Sequence, residues 1–128
     1  MKKFLIILLI ILFVLAAVVF IGSGFLVRVD VGLLDYSVSE DGTLLQFQAE
    51  VMSSMGRIRG FSQWEEEDGT LTLTFHNTFG GLNSKLGAKQ EFRVELEEET
   101  REVYFNHSGG KRILVLQKDD VTGEWVRP

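Results

Sequence analysis

The stretch EEEDGTLTLTFH, residues 65–76, decides how most of the chain folds. Its second half alternates apolar and polar residues, with Leu71, Leu73 and Phe75 on one side and threonines on the other. Because alternate side chains of a β-strand point to opposite faces, this pattern predicts a strand with one buried and one solvated face. The acidic run that ends in Gly69 supplies the residue types of a tight turn. The stretch therefore predicts a hairpin within an antiparallel sheet.

The same alternation recurs on both sides of this hairpin, and acidic turns with glycine separate the segments. Further strands are predicted in the segments Tyr36–Val38, Leu44–Val51, Phe92–Leu96, Val103–Phe105 and Glu124–Val126. Residues 57–64 alternate weakly because Gly60 interrupts them, which leaves their register open. The run Ile113–Leu116 is continuously apolar and predicts a strand covered on both faces. Seven or eight strands without helical periodicity predict an all-β, antiparallel two-sheet sandwich of immunoglobulin-like type.

The N-terminus begins with an uninterrupted apolar run, Phe4–Ile21, with Leu12 near its middle. As a helix the run rises about 27 Å, and extension to Val27 makes it long enough to cross a bilayer with some tilt. Because Lys2 and Lys3 precede the run, the positive-inside bias predicts a cytoplasmic N-terminus and an extracytoplasmic remainder. Residues 1–27 are thus interpreted as a membrane anchor or signal segment, and residues 28–128 as the extracytoplasmic domain.

Two alternatives remain open at this segment. The apolar run is longer than the core of a typical signal peptide, which favours an uncleaved anchor and a cell-membrane location, but Gly22, Ser23 and Gly24 could serve as a cleavage site that releases a secreted domain. Beyond it, the alternating residues Val27–Val31 fit either a first strand or a stalk leaving the membrane.

Composition narrows the classes of function. The chain has 18 acidic and 13 basic residues, a net charge of −5, and the part beyond Lys2 and Lys3 is more acidic still. Nucleic-acid phosphates require a basic face, so we expect no nucleic-acid partner. The chain has no cysteine, which excludes disulfide scaffolds, thiol catalysis and cysteine metal sites.

The longest segment without strand character, residues 80–90, is the first candidate for a ligand or partner loop. Its glycines free backbone amides and its lysines add positive charge, a combination that can hold an anionic group. Glycines also suit a crossover between two sheets, so the pattern fits a purely structural loop as well. The candidate residues are Leu82, Asn83, Ser84, Lys85 and Lys89.

Other chemistry has weaker support. The two histidines, His76 and His107, lack metal-ligand spacing, and no acidic run follows a calcium-loop pattern. No nucleophile motif of the G-x-S-x-G or S-x-x-K kind occurs. We therefore expect no catalytic residue, no metal, no cofactor and no enzymatic activity.

Several stretches resemble a group of small single-span or secreted proteins of Gram-positive bacteria. The likeness is carried by TLTLTF (70–75), FGGLNSKLGAKQEF (79–92), VYF (103–105), LVLQKD (114–119) and TGEW (122–125), and FGGLNSKLGAK is its most specific part. That group has no assigned activity. The resemblance implies an extracytoplasmic location and an immunoglobulin-like fold, and it carries over no functional residue.

Together these observations predict a membrane-anchored extracytoplasmic interaction module of the cell envelope. The helix would tether the chain, and a loop or an unpaired edge strand would contact an envelope protein. The alternative is a secreted β-sandwich that binds a peptide, glycan or ion after signal cleavage.

Overall fold

The computed structural model describes residues 1–52, 57–79, 88–107 and 111–128. It begins with one helix, α1, Lys2–Ser23, all of whose large apolar side chains are exposed. With 22 residues the helix is about 33 Å long, so its length and apolar composition allow it to cross a membrane. Among the described residues it is the sole helix of this kind.

Beyond α1 the described chain is a β structure of nine strands. Their bounds are β1 Val27–Arg28, β2 Val31–Val38, β3 Leu44–Val51, β4 Ile58–Glu65, β5 Thr70–Asn77, β6 Glu91–Glu95, β7 Glu102–Asn106, β8 Arg112–Lys118 and β9 Trp125–Val126. The strands form two sheets, as the alternation predicts.

The larger sheet is centred on β5. Strand β4 pairs with one edge of β5, and the other edge is shared by β7, along Thr70–Leu73, and β1, along Phe75–His76. Strands β8 and β9 continue the sheet beyond β7. The smaller sheet has the order β2-β3-β6.

The core lies between the two sheets and consists of the side chains that the alternation assigns inward. The buried apolar residues are Val31, Leu45, Phe47, Ala49, Ile58, Leu71, Leu73, Phe75, Phe92, Val94, Leu96, Val103, Phe105, Leu116 and Trp125. Phenylalanines from both sheets meet at its centre, where the ring centres of Phe47, in the smaller sheet, and Phe75, in the larger one, lie 6.3 Å apart in an edge-to-face contact. Burial of each phenylalanine side chain stabilises the fold by about 1.5–3 kcal/mol, and each contact between two aromatic rings adds about 0.5–1.5 kcal/mol.

The sheets have two ends that we name by their connections. At the far end lie four turns, residues 39–43, 66–69, 96–101 and 119–124. Hydrogen bonds join neighbouring turns: the Leu96 amide donates to Thr43 O, and the Arg101 amide donates to Gly69 O. The junction end is the opposite one, where β5 ends at Asn77 and β1 begins at Val27 directly after α1.

One strand pair corrects the fully antiparallel prediction: β5 and β7 are parallel. Between them the chain crosses to the smaller sheet and returns toward the far end as β6. Because β6 reverses the chain once in the other sheet, β7 re-enters the larger sheet in the same direction as β5. Residue alternation carries no information on this crossover.

The structure differs from both interpretations of residues 27–31 and from the prediction for Ile113–Leu116. Residues 27–31 form neither a single strand nor a free stalk, since Val27–Arg28 pair in the larger sheet and β2 begins in the smaller one. The run Ile113–Leu116 is not covered on both faces: Ile113 is 47% exposed although Leu116 is buried. A register shift between Val103 and Tyr104 accompanies this uneven burial.

The weakly alternating strand β4 has a bulge between Ile58 and Gly60. Beyond the bulge Phe61 packs on the core and Trp64 is exposed. The extra residue that the bulge introduces explains why no single two-residue period fits this segment.

Candidate functional site

Four of the five residues predicted as a ligand or partner loop, Leu82, Asn83, Ser84 and Lys85, lie outside the described residues. The fifth, Lys89, is exposed at the junction end, and its backbone amide donates a hydrogen bond to Ile58 O at 2.9 Å. This bond ties the segment before β6 to the start of β4.

The three residues chosen to mark the membrane segment, Phe4, Leu12 and Ile21, all lie on α1 with exposed side chains, Phe4 at 70%. No described part of the β domain buries the helix. A helix that is apolar on every side and uncovered is compatible with a membrane anchor or with a signal sequence.

The helix continues into the sheet with almost no linker. The Asn77 amide donates to Leu26 O at 2.8 Å, and Val27 and Arg28 then pair with His76 and Phe75. The carboxylate of Asp30 lies 3.0 Å from the Arg28 guanidinium, in a half-buried ion pair. The chain is therefore held by backbone hydrogen bonds within three residues of the end of α1.

A cluster of four residues, Gly24, Phe25, Arg59 and Phe79, lies at this point, and we call it the junction cluster. Arg59 Nη2 donates a short hydrogen bond to Gly24 O. The guanidinium carbon lies 4.5 Å from the Phe79 ring centre and 5.5 Å from that of Phe25. Cation–π contacts of this kind contribute about 0.5–2 kcal/mol each, depending on desolvation. Arg59 thus joins the end of the helix to β4.

Gly24 is buried, and glycine is required there by packing. A side chain at this position would collide with the Phe79 ring, whereas Gly22, one half-turn earlier, has open space around it. The close approach of Phe79 to the backbone therefore depends on the missing Cβ.

Three buried polar atoms without hydrogen bonds lie in or beside the junction cluster. Within the described ranges, Arg59 Nε, His76 Nδ1 and Asn77 Oδ1 are buried and have no partner. Burial, and then the positive charge of Arg59, lower the pKa of His76 below its usual 6.5. The neighbourhood of Arg59 accordingly favours a neutral imidazole.

His76 and Ser62 form a pair on the outer face of the larger sheet, with His76 Nε2 and Ser62 Oγ 3.2 Å apart. A serine nucleophile needs a base whose ring is oriented by a third group. In the described part of the chain His76 Nδ1 has no such partner. The pair is geometrically a hydrogen bond and lacks the arrangement of a triad.

The acidic turns of the far end use several carboxylates to hold their own backbone. Asp41 accepts hydrogen bonds from Ser39 Oγ at 2.6 Å and from Thr43 Oγ1 at 2.8 Å, and these bonds lower its pKa. Asp119 accepts from the Val121 amide at 2.8 Å. No group of three or more potential metal ligands converges among the described residues.

Strand β4 forms an open edge of the larger sheet. Of the described strands it pairs with β5 alone, and Lys89 covers its first residue through the bond to Ile58. Near its other end Trp64 is 69% exposed, whereas Trp125 is buried. An unpaired strand edge beside an exposed indole can accept an extended segment of another chain.

The outer face of the smaller sheet carries a shallow polar groove of about 380 Å³. Asp35, Ser37, Gln46, Gln48 and Arg93 are among the residues that line it. The groove combines hydrogen-bond donors and acceptors with one cationic side chain, so it can hold a small polar ligand.

The junction cluster and the open edge could not be located by motif. Phe25, Arg59 and Phe79 are far apart in the sequence, and the alternation around Gly60 is too weak to place Arg59. The nearest signal was Gly22, Ser23 and Gly24, which sequence reasoning interpreted as a potential cleavage site. The missing side chain of Gly24 also has a packing role, because a Cβ there would meet the Phe79 ring.

No protein-family profile, curated protein or solved structure matches this chain.

Proposed function

We propose that the protein is a single-pass, membrane-anchored interaction module whose β domain stands directly on the outer surface of the cell membrane. The observation that carries this proposal is the junction: a fully exposed apolar helix leads without a flexible linker into a strand of the larger sheet. Such a connection supports a position of the domain at the membrane surface, with limited rotation about the helix.

The same junction favours an uncleaved anchor over a released domain. Cleavage after Gly24 would remove the carbonyl that accepts the hydrogen bond from Arg59 and the buried backbone against which Phe79 packs. Contacts of this kind are expected for residues that stay in the mature protein.

The proposed orientation, with Lys2 and Lys3 in the cytoplasm, can be tested with cysteine labelling because the chain has no cysteine of its own. A Glu40→Cys variant places the thiol at the exposed far end, and a cysteine inserted between Met1 and Lys2, which keeps both lysines, is the matched control. A membrane-impermeant maleimide should label Glu40→Cys in intact cells and the inserted cysteine after lysis alone. Labelling of the inserted cysteine in intact cells would contradict the orientation.

The open edge of β4 is our candidate for the contact with an envelope protein. An exposed tryptophan is the residue type that most often dominates an interface, and its truncation commonly costs 2 kcal/mol or more, about a thirtyfold loss of affinity. We expect a photoactivatable residue at Gln63, on β4, to give a discrete adduct in the source cells that Trp64→Ala abolishes. The control probe at Gln46, on the smaller sheet, should give none, and equal adducts from both probes would contradict the assignment.

The alternative is a ligand-binding domain, for which the polar groove on the smaller sheet is the supporting feature. Its walls are connected by a hydrogen bond from Gln48 Nε2 to Glu91 Oε1 at 3.4 Å. A peptide, glycan or ion that raises the melting temperature of the wild type and not of Arg93→Ala would favour this function. Binding unaffected by Arg93→Ala would exclude the groove.

We also infer that the domain is an immunoglobulin-like sandwich. The inference is supported by two sheets packed around one core and by inter-sheet crossovers on both sides of β6. The parallel pair β5 and β7 is the feature that departs from a purely antiparallel arrangement.

A further inference from the structure

Charge is strongly segregated along the domain. The four turns of the far end and their flanks hold most of the chain's 18 acidic residues: Glu40, Asp41, Glu65, Glu66, Glu67, Asp68, Glu97, Glu98, Glu99, Asp119, Asp120 and Glu124. The junction end instead carries basic residues. An overall negative charge therefore conceals a positive surface beside the helix.

Three exposed basic residues define this surface, which we call the basic rim: Arg57, Lys89 and Lys111. Backbone hydrogen bonds hold each in place. Arg57 O accepts from the Thr78 amide at 3.2 Å, Lys89 N donates to Ile58 O at 2.9 Å, and Lys111 O accepts from the His107 amide at 2.7 Å. Their main chain is thus part of the fold.

Three carboxylates of the described residues lie at this end, fewer than its basic side chains. Asp30 forms an ion pair with Arg28, Glu50 lies on the outer face of β3, and Glu91, two residues beyond Lys89, accepts a hydrogen bond from Gln48. Arg59, within the junction cluster, adds a further positive charge. Apolar side chains that follow the helix, Phe25 and Leu26, are 65% and 59% exposed at the same end.

We propose that the basic rim binds the headgroups of anionic phospholipids in the bilayer that α1 crosses, and so holds the domain upright on the membrane. This inference rests on the proposed insertion of α1. The helix ends at Ser23 and pairing in the sheet begins at Val27, so the junction end lies at headgroup level. Exposed charges interact over a screening length of about 8 Å at physiological ionic strength, so basic side chains at headgroup level would attract anionic headgroups.

The acidic far end reinforces the same orientation. An anionic bilayer repels the carboxylates of the four turns while it attracts the rim, so tilting the domain toward the surface is unfavourable. Exposed Phe25 and Leu26 would then enter the boundary between headgroups and acyl chains, where apolar side chains gain from burial. The positive charge of the rim and the exposed apolar side chains at the junction end therefore favour the lipid surface as the binding partner.

The test uses the full-length protein in vesicles of phosphatidylcholine alone and of phosphatidylcholine with phosphatidylglycerol. A Gln90→Cys label next to Lys89 reports contact with headgroups through a quencher attached to the lipid headgroup. We expect greater quenching in the anionic vesicles and its reversal by high salt. Neutralising Arg57, Lys89 and Lys111 together to glutamine should lower the docked-to-undocked ratio about a hundredfold, since each basic residue near such a surface contributes about fivefold.

The matched control replaces Arg101, Lys118 and Arg127, basic residues away from the rim, with glutamine and should quench like the wild type. Thermal melting of both triple variants verifies that they fold. Flotation of the vesicles after an alkaline wash measures insertion of α1 independently of quenching. Failure of the anchor proposal can therefore be distinguished from failure of lipid binding by the rim. Equal quenching in both lipid compositions, or a rim variant that behaves like the control variant, would overturn the inference.

Discussion

The backbone amide of Asn77, at the end of β5, donates a hydrogen bond to the carbonyl of Leu26, three residues beyond the helix. This bond begins the register in which Val27 and Arg28 pair with His76 and Phe75. It connects the apolar helix to the central strand of the larger sheet. The apolar helix and the β domain are therefore connected by a hydrogen-bonded segment and not by a flexible stalk.

Replacing Gly24 with valine should loosen this connection. The new side chain would displace the Phe79 ring and weaken the contact between Arg59 and Gly24 O, a change that we expect to cost about 1–3 kcal/mol of local stability. Hydrogen exchange in detergent micelles should show faster exchange of the Asn77 amide. The control, Gly22→Val, introduces the same side chain into open space and should leave the Asn77 rate unchanged. Equal rates in both variants would exclude the proposed role of Gly24.

Replacing Val94 with aspartate should unfold the domain, because this side chain is buried between the sheets and a carboxylate there would have no ionic partner. The adjacent Arg93→Asp variant introduces the same residue on the exposed face of β6 and should change stability by about 0.5 kcal/mol or less. Circular dichroism melts of both variants provide the measurement. A cooperative melt of Val94→Asp near the wild-type temperature would show that the inward face of β6 is misassigned.

Alanine at Gly69 should be more damaging than alanine at Gly42. Both glycines have positive φ, at 87° and 74°, so each substitution costs about 1 kcal/mol in backbone strain. At Gly69 the added Cβ would also collide with Glu99 O in the neighbouring turn, whereas Gly42 has open space. Urea unfolding should therefore give a larger loss for Gly69→Ala. Identical losses would mean that the two far-end turns do not pack as described.

Stability should decrease as the pH falls from about 7 to 5, with a contribution from His76. Its folded-state pKa lies below the unfolded value of 6.5, so the unfolded chain binds the proton more readily and acidification favours unfolding. His76→Gln should flatten the slope of unfolding free energy against pH, and His107→Gln serves as the matched control. Glu65 raises the pKa of Glu97 above 4.5, which has the opposite effect, but all these chains retain Glu97. An unchanged slope in His76→Gln would refute this assignment.

The parts of the fold that follow from local sequence were predictable. Alternation at Leu71, Leu73 and Phe75 identified a strand and its buried face, because burial of one face of a sheet imposes a period of two. The apolar run of α1 was equally clear. Features that depend on distant partners were not predictable: the parallel entry of β7 depends on the position of β6 in the other sheet.

The candidate site was harder to predict for the same reason. Arg59 meets Phe25 and Phe79 through the pairing of three separate segments, and no spacing in the sequence encodes that meeting. The three residues of the basic rim, Arg57, Lys89 and Lys111, likewise lie in three different connections between strands. The negative net charge of the chain gives no sign of such a basic surface. Of the residues first proposed as a loop site, Lys89 alone lies among the described ones.

The state of the N-terminus in the source cells tests the central claim most directly. We would wash the membranes with alkaline carbonate and determine the intact mass of the protein in the pellet and in the medium. A chain that retains residues 1–24 and stays in the pellet is the predicted result. A shorter chain in the medium that begins near Phe25 would contradict the account, because the helix and the Gly24 contact would then be absent from the mature protein.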